Sequence, residues 1–353
     1  MLRQTNHDYL RILAALMVVG IHASGSFLKG WHGFGNIDFT IANLYDSLSR
    51  AAVPLFVLLS GAFVLGADKN SEAKRFYNSR LAPLVALAIL WNLFYFLFGV
   101  VTHSGMPLYS ILKEAKTIYH LWFLPMIAGL YIVTPLLIRL KRKVGPGRFF
   151  TFGLIMFLVS IIYTSNWAYL SFIGYLGYYI LGDFLKNYYT PSPRARHCLP
   201  VLFAVSVAAI FFGVELTGSL RFYNNNFIFV MAGAPALFAF FGGLRLRPHK
   251  IVANLVKYSF DIYLVHAFVL AWLMLAVKRV ECIASVFRGY GLIWAIPALI
   301  LTTFVLSWAL SALLHAPTRW LARTTLQPVI EWAVSLSLRM AGRAATFFGR
   351  YGR

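Results

Sequence analysis

Residues 8–27 read "DYLRILAALMVVGIHASGSF", and runs of similar length and apolarity recur along the 353-residue chain. A run of roughly 18 or more apolar residues can span a bilayer, since about 20 residues of helix match the hydrocarbon thickness. Inside hydrocarbon the backbone must satisfy its own polar groups, so such runs fold as helices. About ten runs meet that length criterion: 9–28, 46–66, 80–101, 118–138, 149–164, 167–186, 198–217, 226–243, 255–277 and 290–314. The expected fold class is therefore all-α, a polytopic membrane bundle. Composition agrees, because 60% of residues are hydrophobic and only 12% are charged, against about a quarter charged in soluble domains. The first run is too long and too charged for a cleaved signal peptide, and no small-residue cleavage site follows it.

A net charge of +21 would point to nucleic acid in a soluble protein, but here Lys and Arg gather in alternate loops. Lys69, Lys74, Arg75 and Arg80 follow the second run. Arg139, Lys141, Arg142, Lys143 and Arg148 follow the fourth, Lys186, Arg194 and Arg196 the sixth, and Arg245, Arg247, Lys250 and Lys257 the eighth. The other loops are poorer, with Lys29, then Lys113 and Lys116, then none, then Arg221; only Lys278, Arg279 and Arg288 depart from the pattern. The positive-inside rule then places both termini in the cytoplasm and removes any need for nucleic acid. The two cysteines, Cys198 and Cys282, fall at opposite faces and should not pair; no Cys/His spacing suggests a metal. The expected domains are a transmembrane unit, 1–317, and a basic amphipathic cytoplasmic tail, 318–353. In the tail, Trp332, Leu336, Met340 and Phe347 lie on one side of a helix over 329–348, opposite Glu331, Ser335, Arg339 and Arg343. That suits a helix in the inner leaflet, and a frayed basic tail is the alternative.

Ionisable residues within spans are expensive and usually face a cavity or pathway. Arg11 and His22 are eleven residues apart, so they share one helix face about 16 Å apart along the axis, with Arg11 toward the cytoplasm. Asp8, three residues before Arg11, sits where it can pair with it. Taken alone, Arg11 could snorkel to the inner headgroups, and His22 could merely fix packing. The second run, "SLSRAAVPLFVLLSGAFVLG", enters from outside and brings Arg50 near the depth of His22, with Pro54 able to kink the helix and free a carbonyl. The fourth, "YHLWFLPMIAGLYIVTP", puts His120 and Trp122 at the outer boundary, where Trp122 alone would read as a belt residue. His22, Arg50 and His120 thus form an outer polar cluster, and Arg11, Arg75 and Arg80 an inner cationic one. In "KYSFDIYLVHAF", Asp261 and His266 are five residues apart and offset by about 140°; for Asp261 a packing role is preferred.

These residues resemble the signatures of the type-3 membrane acyltransferases. Asp8-x-Leu10-Arg11 with Val18-Val19-x2-His22 is similar to the first-helix motif, and Arg50-x2-Val53-Pro54-Leu55-Phe56 with Ser60-Gly61 to the second-helix motif. Arg80-Leu81-x-Pro83, His120-Leu121-Trp122-Phe123-Leu124 with Tyr131 and Pro135, "GYLGYYILG" (174–182) and "IYLVH" (262–266) also fit. The branch resembled contains membrane O-acetyltransferases of surface polysaccharides and their lipid-linked precursors. The resemblance implies a bacterial inner-membrane enzyme, no bound cofactor, acetyl-CoA or another acyl-CoA as cytoplasmic co-substrate, and a carbohydrate or glycolipid hydroxyl as acceptor. It assigns the essential histidine to His22 and a functional arginine to Arg50. Part of the family has an acidic residue in a later helix to assist the histidine, whereas the fourth run here has no Asp or Glu.

Moving an acyl group from a thioester to a hydroxyl needs a base for the proton and positive groups at the developing oxyanion. His22 can serve as that base, or as a nucleophile carrying a transient acyl group. Arg50 or His120 can stabilise the oxyanion. Guanidinium forks match the phosphates of coenzyme A, which selects Arg75 and Arg80 with Arg11 in support, while Asp8, Trp122 and His266 are supporting residues. The expected partners are acyl-CoA, the glycan or glycolipid acceptor and the bilayer; assembly into a homo-oligomer stays open. A transporter or flippase of glycan precursors or acyl donor is the alternative, and it should show an internal repeat that the sequence lacks.

Overall fold

The structure, a computed structural model, describes residues 2–28, 36–101, 119–163, 168–279 and 285–351. Lys29, Lys113, Lys116, Ser165, Asn166 and Cys282 lie outside them, as do the side chains of Lys278, Arg343 and Phe347. Among the described residues every regular element is helical: α1 (Leu2–Gly25), α2 (Ile37–Ser49), α3 (Ala52–Val64), α4 (Ala73–Phe76), α5 (Ala82–Val101), α6 (Phe123–Val144) and α7 (Pro146–Ile162). The chain continues through α8 (Leu176–Asn187), α9 (Pro193–Thr217), α10 (Ile228–Gly243), α11 (Lys250–Arg279), α12 (Leu292–Leu321) and α13 (Gln327–Tyr351).

Among the described residues, eight helical stretches are long and apolar enough to cross a membrane, and the protein is a polytopic α-helical bundle. The fifth expected span is the shorter α7, of 17 residues. The sixth is not one α-helix: an eight-residue 3-10 segment, Ala168–Tyr175, leads into the 12-residue α8. Large apolar side chains such as Leu97, Val201, Leu216 and Leu313 point outward, as a hydrocarbon solvent allows.

Three boundaries differ from the sequence expectation, each for a local reason. The second span starts at Ile37, where Asn36 accepts a hydrogen bond from the Phe39 N–H as an N-cap, and it is broken at Arg50 and Ala51 between α2 and α3. Pro54 has no N–H for the carbonyl four residues back, which belongs to Arg50. The break expected from Pro54 thus falls at the very residue that carries the charge. At the other end, α12 continues through Pro317 and a π-turn, Ala322–Leu326, connects it to α13. The expected domain boundary at 317 therefore lies inside a helix. Leu326 and Ile330 pack on Ala86, Leu87 and Ala322, so the start of the tail is anchored to α5. Trp332 and Met340 remain exposed.

Helix α1 is the central element, packed against α2, α3, α10, α11 and α12. Its start is pinned by Asn6, whose side chain donates to the Leu244 carbonyl and accepts from the Leu246 N–H. Helices α3 and α8 touch backbone to backbone. A methyl group on Gly61 would come within 1.7 Å of the Tyr179 carbonyl oxygen, and one on Gly182 within 2.0 Å of the Leu58 carbonyl oxygen. Small residues that let backbones approach are how membrane helices gain packing without a hydrophobic drive. This contact fixes α3, and with it Arg50 and Ser60, relative to the bundle.

Candidate active site

A cavity of about 620 Å3 runs along the face of α1 that carries Arg11 and His22. Arg11, Arg80 and Arg319 line it, as do His22, Arg50 and His120. Phe56, Phe63, Leu84 and Leu87 supply apolar wall between them. A second cavity, of about 580 Å3, is lined by His22, Asp46, Arg50, Tyr119, Tyr223 and Asn224. His22 and Arg50 line both, and so stand at the junction of the two.

Around His22 the structure gathers three imidazoles from three helical segments. The ring of His266 stacks on that of His22 at 5.2 Å and 24°. His120 lies 5.0 Å from His266 and 6.5 Å from His22, and Tyr119 lies 4.7 Å from His22 on another side. His120 and His266 are fully buried. His266 Nδ1 is 2.6 Å from the Tyr263 carbonyl oxygen; a carbonyl only accepts, so this nitrogen carries the proton and Nε2 carries the lone pair. By the same logic His120 Nε2 donates to the Leu264 carbonyl at 3.4 Å, leaving Nδ1 as an acceptor. Neither His266 Nε2 nor His120 Nδ1 has a protein partner among the described residues. The Tyr263 hydroxyl donates to the His120 carbonyl, and that of Tyr95 to the Leu264 carbonyl at 2.7 Å. The bonds of His120 with Tyr263 and Leu264 lock the Tyr119–Trp122 turn to α11, and that of Tyr95 ties α5 to it. The expected offset of His266 from Asp261 is real, and it is what turns His266 alone toward the imidazole cluster.

Arg50 is held on three sides. It pairs with the buried Asp46 four residues earlier, its guanidinium lies 3.9 Å over the Tyr223 ring, and Nη1 donates to the Tyr223 carbonyl at 3.5 Å. Tyr223 is fixed in turn by its hydroxyl, which donates to Asn43 Oδ1 at 2.6 Å, while Asn43 donates to Glu215 at 2.9 Å. At the far end Arg11 pairs with Asp8 at 3.6 Å, as their spacing predicts, and also lies 5.5 Å over the Phe63 ring. Trp122 lines the larger cavity and packs at 5.8 Å on Tyr175, so it is more than a belt residue. Asp261 pairs with His315 at 2.7 Å and with Arg319 at 3.4 Å.

Arg75 is the expected site residue that the structure does not bring in. It is exposed on α4 and absent from the cavity lining. A π-helical segment, Tyr77–Leu81, carries Arg80, and of the two only Arg80 reaches the cavity. Two participants escaped the sequence reading. Asp46 was legible as the i,i+4 partner of Arg50, whereas Arg319 was masked by assigning 318–353 to a basic amphipathic cytoplasmic tail. Among the described residues no group of three or more His, Cys, Asp or Glu could hold a metal; stacking keeps the imidazole nitrogens from converging on one point.

Comparisons with known proteins agree with this architecture. The serine/alanine racemase of Enterococcus gallinarum is 26% identical over 306 residues, which is 75% of this chain and 40% of that protein. An amino-acid racemase of Enterococcus faecalis is 25% identical over 233 residues, 60% of this chain and 31% of that protein. The chain thus spans less than half the length of these curated relatives, and the racemase activity in their names belongs to much longer proteins. No solved structure matches. The type-3 acyltransferase domain matches residues 5–312, which include every residue lining the two cavities but Arg319. The chain belongs to the type-3 acyltransferase family and is an integral-membrane protein.

Proposed function

We propose that this protein is an acyltransferase that moves an acyl group, acetyl by default, from acyl-CoA to a hydroxyl of a cell-envelope carbohydrate or glycolipid in the bacterial inner membrane. The observation that carries this is the junction: His22 and Arg50 line two cavities at once. One of them also holds three arginines, which suits the polyanionic end of coenzyme A. With the arginine-bearing end facing the cytoplasm, the donor enters there and the acceptor comes from the opposite side.

In the proposed reaction a His22 ring nitrogen takes the proton of the acceptor hydroxyl as its oxygen attacks the thioester carbonyl. The oxyanion forms beside the Arg50 guanidinium, held in place by Asp46 and Tyr223. Collapse breaks the carbon–sulfur bond, and the leaving thiolate takes the proton from the His22 imidazolium. The apolar walls keep bulk water from competing with the acceptor. His266, stacked on His22, restricts rotation of that ring.

The test is release of free coenzyme A by purified protein from acetyl-CoA and succinyl-CoA, with and without envelope glycolipid extracts. It is joined to mass spectrometry of envelope glycans from cells with and without the protein. Acceptor-dependent thiol release and a matching lost acyl mass are expected. Thiol release from no acyl-CoA with any extract would overturn the proposal.

A further inference from the structure

Arg319 lies beyond the matched domain, which ends at residue 312, yet its side chain lines the larger cavity. Four distances place it along that cavity. His266 stacks on His22 at 5.2 Å, so the two mark one depth. Asp261 is five residues from His266 on α11, about 7.5 Å toward the arginine-bearing end. Arg319 Nη2 reaches Asp261 Oδ2 at 3.4 Å. Arg11 is eleven residues from His22, about 16 Å along α1. The Arg319 guanidinium therefore sits roughly midway between the imidazoles and Arg11.

The guanidinium is held with a donor edge to spare. Nη2 donates to both oxygens of Asp261 at 3.4 and 3.5 Å, and Nε lies 3.2 Å from His315 Nδ1, which donates its own proton to Asp261 Oδ2 in a hydrogen bond of 2.7 Å. Nη1 makes no hydrogen bond to the protein among the described residues. Asp261 is buried, and its charge offsets that of Arg319. A neutralised, positioned guanidinium with free N–H groups is poorly suited to a phosphate and well suited to neutral carbonyl oxygens. In a coenzyme A thioester, the stretch between the acyl group and the diphosphate is the pantetheine arm, which carries two amide carbonyls.

We propose that Arg319 is a donor-binding residue that hydrogen-bonds the pantetheine amide carbonyls, while Arg11 and Arg80 serve the phosphates farther out. This rests on acyl-CoA being the donor. The three arginines then measure the donor from thioester to nucleotide, and Asp261 and His315 are positioning residues for Arg319.

The experiment uses acetyl-CoA and acetyl-pantetheine as donors, with the full-length protein in detergent and thiol release as the readout. Arg319→Gln should raise KM for both donors by the same factor, about tenfold, the scale of a lost charge-assisted hydrogen bond. Arg80→Gln should raise KM for acetyl-CoA alone. Arg319→Lys, which keeps the charge but loses the fork, should retain most of the defect, and matched melting temperatures certify that the variants fold. A defect in Arg319→Gln confined to acetyl-CoA would make Arg319 a phosphate ligand and overturn the proposal, as would no defect with either donor. A wild-type protein inert toward both donors would instead sink the donor assignment itself.

Discussion

The two cavities that meet at His22 and Arg50 differ in how their charge is balanced. In the larger one Arg11 and Arg319 are paired with Asp8 and Asp261, and the exposed Arg80 adds a cation with no carboxylate partner among the described residues. In the smaller one Arg50 is matched by Asp46 and covered by Tyr223, and the rest of the polar lining is His22, Ser26, Tyr119 and Asn224. One chamber presents surplus positive charge at its far end; the other is close to neutral. Clefts lined by one sign concentrate ligands of the opposite sign. Under the proposed reaction, that contrast would sort a polyanionic donor from an uncharged hydroxyl carrier before either reaches the shared residues.

Substitutions can break that comparison one side at a time. Arg50 serves the junction, so Arg50→Gln should lower kcat by about 10²-fold, the scale of a lost oxyanion donor. The loss should be similar for acetyl-CoA and acetyl-pantetheine; a defect in KM alone would move Arg50 out of the transition state. Arg80 serves only the cationic chamber, and Arg80→Ala should raise KM for acetyl-CoA by about tenfold with kcat little changed. That penalty should shrink in high salt, because an exposed guanidinium is screened. Unaltered affinity for coenzyme A would remove Arg80 from the donor site. Arg75 lies outside both chambers, so Arg75→Ala should stay within about twofold on the same assay, well under the tenfold expected of a lost phosphate contact. A defect as large as that of Arg80→Ala would mean that the donor extends onto α4.

The bundle was legible because hydrocarbon leaves the backbone few choices: eight of the ten expected spans correspond to long apolar helices. The failures lie where tertiary contacts act. α2 begins earlier than hydropathy suggests because an Asn36 cap and the buried Asn43–Glu215 hydrogen bond support a polar helix inside the bundle. The 3-10 start of the sixth span and the passage of α12 through Pro317 depend on neighbours that no single-helix criterion sees. Within the site, helix spacing was enough to put Arg11 and His22 on one face and to suggest Asp8 as a partner. It could not bring His266 onto His22, because that stack depends on how α1 and α11 are rotated against each other. Nor could it reveal Arg319, whose place is set by Asp261 and His315 on two different helices.

His22 is the residue on which both chambers converge, and replacing it tests the central claim most directly. Purified His22→Ala protein, shown to be inserted and monodisperse, would be compared with wild type for single-turnover acyl transfer from acetyl-CoA. A base or nucleophile at this position predicts a loss of about 10²- to 10⁴-fold in the transfer rate, with coenzyme A binding retained at the arginine end. Full transfer by His22→Ala would contradict the account.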